Sequence, residues 1–270
     1  MNNKQNLHIH TNLCDGNDSP IEIVEAALSA GFDSIGFSAH SYMKYSCYLG
    51  YRDRTEEYKQ EVTKLKKLYE DKLKIFLGLE VDMYSEPDTK DYDYLIGSVH
   101  YLVKENEYLG FDRGDEEVER IINEYFGGNG MKYAKLYYET LAQLPDYGKF
   151  DIIGHFDIIT KHSENRNFFD ETSKEYLGYA FDSAEALAGK IPLFEVNTGA
   201  IARGYRTTPY PSIPIIKMLK ELGFGVVITS DCHDKNKIDC YYDESVELLR
   251  NCGFKEKFIL TDNGFTETSL

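Results

Sequence analysis

Hydrophobic and polar positions follow two alternating patterns along most of the chain. Short apolar runs bounded by glycine, proline or polar residues predict strands, and longer segments with apolar residues every three or four positions predict helices. The two kinds of segment alternate, which is typical of a parallel sheet covered by helices. Seven strands are predicted, at residues 7–9, 34–38, 74–79, 94–99, 151–154, 192–196 and 226–229.

Helical segments lie between these strands and after the last one. The first begins at Ser19 and Pro20, a serine cap followed by proline at the first helical position, and ends at Gly31. The acidic stretch around residues 105–146 predicts a helical insertion. We therefore expect one domain over residues 1–270, an imperfect α/β barrel of seven strands. The predicted helices are residues 21–30, 55–69, 115–125, 131–144, 170–188, 212–222 and 243–252, followed by a short closing segment at 258–261.

The composition restricts the classes of function. The 270 residues, with 42% hydrophobic residues and 22 tyrosines, suit a folded domain with one large core. The net charge of −16 argues against a long nucleic acid as partner, because phosphate contacts need a basic face. A small phosphate can still bind if metal cations line its pocket. No apolar run is long enough to cross a membrane, and five cysteines without a CxxC pair predict reduced thiols in the cytoplasm.

A candidate metal-binding stretch coincides with the end of the first predicted strand. His8 and His10 are two positions apart, so on an extended chain both side chains point to the same face. Asp15 and Gly16 follow in the same stretch. Imidazole and carboxylate groups are ligands for zinc, iron and manganese. The alternative is a surface strand with two incidental histidines, and the pair alone does not exclude it.

The other candidate ligands fall at the ends of predicted strands. In a parallel barrel these ends meet at one face, where active sites are built. Asp231 and His233 repeat the spacing of the first pair, and the thiols of Cys14 and Cys232 are predicted to be bystanders. Six histidines placed alike disfavour the alternative of ordinary core histidines. The candidate ligands, too many for one ion, are His8, His10, Asp15, His40, Glu80, His100, His155, Asp231 and His233.

These residues belong to six short motifs that occur in order along nearly the whole chain. The motifs are His8-Ile9-His10 with Asp15-Gly16, Ser38-Ala39-His40, Gly78-Leu79-Glu80-Val81-Asp82, Ile96-Gly97-Ser98-Val99-His100, Ile153-Gly154-His155 and Ser230-Asp231-Cys232-His233. Together they resemble the PHP (polymerase and histidinol phosphatase) family of metal-dependent phosphoesterases, in particular its monofunctional histidinol-phosphatases. The family fold is a distorted seven-stranded (β/α)7 TIM-like barrel, in agreement with the strand count. Asn6 departs from the family pattern, which often has aspartate at this position. We expect Asn6 to lie behind the metal ligands and to tune the metal site without abolishing it.

The resemblance implies two to three divalent transition-metal ions, with Zn, Fe and Mn all accepted by such ligands. The implied sets are His8, His10, Glu80 and Asp231 for the first ion, Glu80, His100 and His155 for the second, and Asp15, His40 and His233 for the third. Glu80 can bridge two ions through its two oxygens. A water activated between the first two ions is the implied nucleophile for in-line attack on phosphorus. Glu80, Asp231 and His233 are therefore the predicted catalytic residues, and the group that protonates the leaving alkoxide stays open.

Two arginines follow predicted strands whose ends face the site. Arg166 comes after the fifth strand and Arg203 after the sixth. A guanidinium group suits a bidentate contact with phosphate, and the alternative is a solvated loop charge. We predict that both arginines bind the substrate phosphate. Arg206 and His162 are weaker candidates.

The resemblance implies hydrolysis of L-histidinol phosphate to L-histidinol and phosphate, a step of histidine biosynthesis. Acidic residues are predicted to attract the ammonium and imidazole groups, and tyrosines to pack on the imidazole ring. The partner is thus a small phosphorylated substrate, and the oligomeric state stays open. The acidic residues are Glu105, Glu107, Asp112, Asp115, Glu116 and Glu164, and the tyrosines are Tyr42, Tyr45 and Tyr101.

Other functions are weighed against this one. Within the family, the substrate can be another small phosphate ester. An amidohydrolase-like metal hydrolase also uses two such histidines in a barrel, but it bridges its metals with a modified lysine where this chain has Glu80. A nuclease or proofreading module is disfavoured by the acidic composition. A silent metal-binding domain is disfavoured because every candidate ligand is present.

Overall fold

Seven parallel strands form one sheet in this computed structural model, which describes residues 3–44 and 53–270. Their order in the sheet is β1-β2-β3-β4-β7-β8-β9, so chain neighbours lie side by side except where β5 and β6 intervene. Two further pairs, β5 with β6 and β10 with β11, are antiparallel hairpins. The strands are β1 (Gln5–Asn6), β2 (Ser34–His40), β3 (Lys74–Asp82), β4 (Tyr94–Ser98), β5 (Tyr101–Lys104), β6 (Glu107–Gly110), β7 (Ile152–Ile153), β8 (Leu193–Asn197), β9 (Gly225–Thr229), β10 (Glu256–Thr261) and β11 (Gly264–Ser269).

The first and last strands of the sheet approach each other and close the barrel. Ile9, after β1, forms a parallel bridge with Cys232, after β9. The His10 amide donates to the Cys232 carbonyl at 2.8 Å, and the Cys232 amide donates to the His8 carbonyl at 3.1 Å. The predicted fold, a distorted seven-stranded (β/α)7 TIM-like barrel, is confirmed.

The predicted helices are present, with ends shifted by a few residues. The first begins as expected, because the Glu22 carboxylate accepts from the Ser19 amide at 3.0 Å and Gly31 follows its end with a φ of 72°. Within the described ranges, no helix is long and apolar enough to span a membrane. The helices are α1 (Pro20–Ser29), α2 (Thr55–Leu68), α3 (Asp115–Phe126), α4 (Gly130–Leu141), α5 (Lys174–Leu187), α6 (Gly199–Ala202), α7 (Ile213–Glu221) and α8 (Tyr242–Asn251).

Two segments differ from the predictions in kind. The region predicted as a helical insertion around 105–146 begins with the hairpin of β5 and β6, whose turn residues Glu105 and Asn106 both have positive φ. Only then do α3 and α4 follow. The closing segment predicted at 258–261 is one arm of the β10–β11 hairpin. The division of the chain into a single domain stays a prediction.

An apolar layer fills the barrel below the carboxyl ends of the strands. The Tyr94 ring occupies space left by Gly36 and Gly78, where an added Cβ would lie only 2.3 and 2.2 Å from its atoms. Below it, the β10–β11 hairpin is fastened to β1 by two hydrogen bonds between the Gln5 side chain and the Leu260 backbone, of 2.9 and 2.7 Å. The layer contains Leu7, Phe76, Tyr94, Ile96, Ile152, Leu193, Val227 and Leu260.

The close contact between Tyr94 and Gly78 gives a test of this packing. We expect Gly78→Ala to lower the free energy of unfolding by about 1–3 kcal/mol, because the new methyl group forces a buried ring to move. Gly178→Ala, on α5 with open space around it, is the matched control and should raise stability by about 0.5–1 kcal/mol. Urea unfolding of both variants measures the difference, and equal stabilities would contradict the packing.

Candidate metal centre

The Glu80 carboxylate lies among the predicted ligands, near the end of β3, and is 1% exposed. Its Oε2 is 2.9 Å from His40 Nδ1, 3.3 Å from His8 Nε2 and 3.4 Å from His10 Nε2. The carboxylate of Asp231 faces the same group, with Oδ1 3.3 Å from His10 Nε2 and 3.7 Å from His8 Nε2. The imidazoles of His8, His10 and His40 thus surround Glu80 Oε2, and the Asp231 carboxylate faces two of them.

The other oxygen of Glu80 faces a different pair of histidines. Oε1 lies 3.0 Å from His155 Nε2 and 3.4 Å from His100 Nε2, and it accepts a hydrogen bond from Ser98 Oγ at 2.8 Å. Asp82 Oδ2 is 3.2 Å from His100 Nδ1, which turns the other ring nitrogen towards Glu80. The two oxygens of Glu80 therefore serve separate groups of imidazoles, the arrangement that a bridging ligand needs.

A third group lies nearer the solvent. Asp15 Oδ2 is 3.3 Å from His40 Nε2 and 3.2 Å from His233 Nε2, while its Oδ1 is 3.4 Å from His10 Nδ1. The Asp15 side chain is 45% exposed, so this group forms the open side of the cluster. The structure therefore brings all nine predicted ligands into one cluster.

The cluster fits metal ions by its geometry and by its donor atoms. His8 Nε2, His10 Nε2 and Glu80 Oε2 are buried and have no hydrogen-bond partner in the described part of the chain. Buried polar atoms are normally satisfied, so converging unsatisfied atoms of these types are compatible with a metal ion bound between them. The groups able to hold an ion are His10, Asp15, His40 and His233, then His8, His10 and Asp231, then His40, Glu80 and His100.

These groups differ from the predicted sets in three ways. Glu80 is absent from the group of His8, His10 and Asp231, although its Oε2 lies 3.3 Å from His8 Nε2. His10 reaches the outer group as well as the first one, and His40 joins Glu80 and His100 where His155 was predicted. His155 nevertheless remains within 3.0 Å of Glu80, as part of the same cluster.

Burial and neighbouring charges set the protonation of the ligands. Burial lowers the pKa of His10 to about 4, and the His233 imidazole beside it acts in the same direction. Burial alone would raise the pKa of Glu80, but His40 and the other imidazoles outweigh it and hold that pKa well below its usual value. The neutral imidazole of His10 and the ionised carboxylate of Glu80 are the forms that bind metal ions. In contrast, neighbouring carboxylates outweigh burial and raise the pKa of His8, His40 and His100.

The structure places the two predicted phosphate-binding arginines differently. Arg203, after α6, lies in the cluster, where Nη2 donates to Asp231 Oδ2 at 2.9 Å and Nη1 to the Asp231 carbonyl at 3.1 Å. Arg166 instead pairs with two residues of α3, with Asp115 Oδ2 at 2.8 Å and Glu119 Oε2 at 3.4 Å, and its side chain is 41% exposed. Arg203 is thus beside the ligands, and Arg166 is held by the insertion.

The weaker candidates have local contacts. Arg206 Nη1 donates to the Thr160 carbonyl at 2.6 Å and pairs with Glu171 Oε2 at 3.2 Å, so this buried arginine anchors the loop after β7. The His162 ring packs edge-on against Tyr205, with centroids 5.2 Å apart.

Several residues predicted to contact the organic part of the substrate have partners of their own. Asp112 Oδ1 pairs with Lys161 Nζ at 2.5 Å, and Glu107 accepts from Tyr125. Tyr101 is buried at the start of β5. Tyr42 is exposed. Tyr45 lies outside the described residues.

The two thiols predicted to be bystanders differ in position. Cys232 is fully buried and its Sγ donates to the Asp234 carbonyl at 3.1 Å, away from the ligands. Cys14 Sγ lies 3.5 Å from His10 Nδ1, in contact with a ligand.

Residues behind the ligands were largely missed by the sequence analysis. Glu195, on β8, is fully buried with Oε2 2.9 Å from His8 Nδ1, and the only sequence signal is a charged residue inside an apolar strand. Asp82 belongs to the Gly78–Asp82 motif, and its contact with His100 was not predicted. Asn6 was expected behind the ligands, and its Oδ1 accepts from the His8 amide at 3.1 Å and the Ser230 amide at 3.2 Å.

Known proteins share this sequence pattern and fold. The model of the PHP domain family matches residues 6–198. A relative from Deinococcus radiodurans, named probable histidinol-phosphatase, is 28% identical over 263 residues, which cover 91% of this chain and 92% of the relative. The histidinol-phosphatase of Bacillus subtilis is 25% identical over 272 residues, covering 90% of this chain and 98% of its own.

A solved structure extends the likeness to three dimensions. It is the histidinol phosphate phosphatase of Lactococcus lactis in complex with zinc, L-histidinol and phosphate, with a TM-score of 0.76 and 19% identity. The likeness covers 98% of this chain and 99% of that one, and it shows a shared fold. Since the family model also spans well over half of the sequence, the chain belongs to the PHP domain family.

Proposed function

We propose that this chain is a metal-dependent phosphomonoesterase that hydrolyses L-histidinol phosphate to L-histidinol and phosphate. The observation that carries the proposal is Glu80, whose two oxygens face separate groups of imidazoles with Arg203 close by. The names of the curated relatives support the substrate. So does the Lactococcus lactis protein, which holds histidinol and phosphate on the same fold.

Two to three divalent ions, Zn, Fe or Mn, would be held by the cluster. Five carboxylates lie in the cluster or directly behind it, against a single guanidinium, Arg203, among the described residues. They are Glu80, Asp231, Asp15, Asp82 and Glu195. This surplus of negative charge favours cations in the interior. When bound, such ions lower the pKa of water towards neutrality and neutralise charge on the phosphoryl oxygens.

The protein's own groups position the reacting phosphate. Arg203 Nε is buried and without a hydrogen-bond partner in the described part of the chain, so it is free to donate to a phosphoryl oxygen. Arg203 Nη1 also lies 2.8 Å from His233 Nδ1, and the other ring nitrogen of His233 lies 3.2 Å from Asp15 Oδ2. Glu80, Asp231 and His233 thus have the proposed catalytic role of holding the metal ions, and Arg203 that of orienting the phosphate.

Arg166 is held by two carboxylates of α3. Its Nε contacts Asp115 and its Nη1 contacts Glu119, so a phosphate would share this guanidinium with them. Its role in substrate binding therefore stays part of the proposal, with a smaller expected contribution than that of Arg203.

The remaining expectations follow from the substrate and the charge. A biosynthetic phosphatase of this kind is expected in the cytoplasm. The net charge of −16 disfavours nucleic acid as a partner. The proposed reaction does not depend on the oligomeric state.

The substrate is tested by comparing esters. We expect kcat/KM for L-histidinol phosphate to exceed that for a generic aryl phosphate by about ten- to a hundredfold, as one charge-assisted contact to a cationic group would give. A chelator should abolish both activities. Equal values of kcat/KM would refute the substrate while leaving the phosphatase reaction in place.

Glu80→Gln tests the bridging carboxylate. The amide keeps the shape of the side chain but loses the negative charge, so we expect fewer bound ions per chain and loss of most activity. Elemental analysis of wild type and variant measures this. The control is Glu61→Gln, at a half-buried residue of α2 that pairs with Lys64 away from the cluster. More than one ion is expected in the wild type, and a variant with normal metal content and turnover would rule out the bridge.

Arginine variants test phosphate binding. Arg203→Ala should lower kcat/KM by about ten- to a thousandfold at saturating metal, as the loss of about 1.5–4 kcal/mol of charge-assisted binding predicts. For Arg166→Ala we expect a smaller loss in the same direction. Arg120→Ala, which removes an exposed arginine paired with Glu117, should leave the kinetics unchanged. Wild-type kinetics in both test variants would show that these arginines do not bind the substrate phosphate.

A further inference from the structure

Glu195 places a carboxylate in the barrel interior, directly behind the metal cluster. It lies on β8, is 0% exposed, and faces inwards between two strands that end in ligands. Four groups are within hydrogen-bonding distance of its oxygens. They are His8 Nδ1 at 2.9 Å, the His155 amide at 2.7 Å, Asn197 Nδ2 at 2.8 Å and Thr229 Oγ1 at 2.8 Å.

These contacts determine which nitrogen of His8 can bind a metal. The ionised carboxylate of Glu195 only accepts hydrogen bonds, so His8 Nδ1 must carry the proton. Nε2 is then the nitrogen left to bind a metal ion, and it points at Glu80 Oε2, 3.3 Å away, and at Asp231 Oδ1, 3.7 Å away. That atom is buried without a hydrogen-bond partner among the described residues, as expected of a ligand atom.

The same carboxylate also holds a ligand on the other side of Glu80. The His155 amide donates to Glu195 Oε1, and the backbone there has a φ of 20°, a positive value that residues other than glycine seldom adopt. This backbone directs His155 Nε2 to within 3.0 Å of Glu80 Oε1. One side chain thus orients a ligand for each oxygen of the bridging carboxylate.

We propose that Glu195 is a positioning residue that fixes His8 and His155 for metal binding at both sides of Glu80. The inference rests on the metal-dependent function proposed above. Glu195 has no contact with substrate in this role and acts through the two histidines. Carboxylates behind metal-binding histidines orient the ring and increase its basicity, and their loss weakens metal binding by about 10- to 100-fold.

Glu195→Gln separates this role from a purely structural one. The amide keeps the volume, but its NH₂ group would face one of the present donors, so the contacts cannot all persist. We expect the variant to bind Zn²⁺ about 10- to 100-fold more weakly in competition with a chromogenic chelator. The visible spectrum of the Co²⁺-loaded protein should change in band position or intensity, because two ligands are no longer fixed.

Thr229→Val gives a second, milder variant that preserves the shape of the core. It removes one donor to Glu195 and touches neither histidine, so we expect the Zn²⁺ affinity to fall by about two- to tenfold. If Glu195→Gln fails to fold, this variant alone decides, and an unchanged affinity would overturn the proposal.

Asp157→Asn is the matched control. Asp157 is also a buried carboxylate, 1% exposed, but it accepts from the Ser212 amide at 3.0 Å outside the cluster. Its Zn²⁺ affinity and Co²⁺ spectrum should equal those of the wild type. Circular dichroism of all metal-free variants checks that each is folded.

Each result has one meaning. A folded Glu195→Gln protein with wild-type Zn²⁺ affinity and Co²⁺ spectrum would refute the role of Glu195 while leaving the phosphatase proposal intact. A wild-type protein that binds neither Zn²⁺ nor Co²⁺ would instead refute the metal-dependent function itself.

Discussion

The burial of carboxylates inside a small barrel is the constraint on which the rest of this structure depends. Glu80 is 1% exposed and Glu195 is 0% exposed, and removing such a charge from water costs several kcal/mol unless partners compensate. Hydroxyls and a backbone amide from several strands donate to Glu80 Oε1 and to Glu195. Because those donors come from distant parts of the sequence, these hydrogen bonds form only when the barrel is closed. Closure and the assembly of the metal centre are therefore a single structural event.

The apolar layer around Tyr94 fixes the positions of the metal ligands that lie above it in the barrel. The Tyr94 hydroxyl donates to the Leu7 carbonyl at 2.5 Å and lies 3.0 Å from the Phe37 carbonyl, so one side chain links the strands that lead to His8 and His40. Its ring fits only because β2 and β3 carry glycines at the facing positions. The ligands at the strand ends are thus positioned by packing one to four residues before them in the chain, where water is excluded and side chains have little freedom.

The fold and the ligand cluster could be predicted from the sequence, whereas the contacts of the residues around the cluster could not. Apolar runs predict buried strands, and strand ends in a parallel barrel meet at one face, so His100 and His155 could be placed together without contact information. Glu195 could not, because its role depends on His8, which is 187 positions away in the chain. Arg166 shows the same limit, since its pairing with Asp115 requires the geometry of the insertion. The β5–β6 hairpin was missed because each of its strands has only four residues, the lower limit at which an alternating pattern predicts a strand.

The start of the chain shows how a break in regular geometry produces the site. Leu7 belongs to the apolar layer while the adjacent His8 belongs to the metal cluster, although successive residues of a regular strand point to opposite faces. The strand pairing of β1 stops at Asn6, whose Oδ1 takes the His8 amide and the Ser230 amide, while Nδ2 donates to Ser230 Oγ at 2.6 Å and to the Ile238 carbonyl at 3.1 Å. An aspartate could accept the same amides but could not donate to that carbonyl. The carboxamide at this position therefore joins the first strand to the segment before Asp231 through both of its polar atoms, without adding another charge behind a cluster already rich in carboxylates.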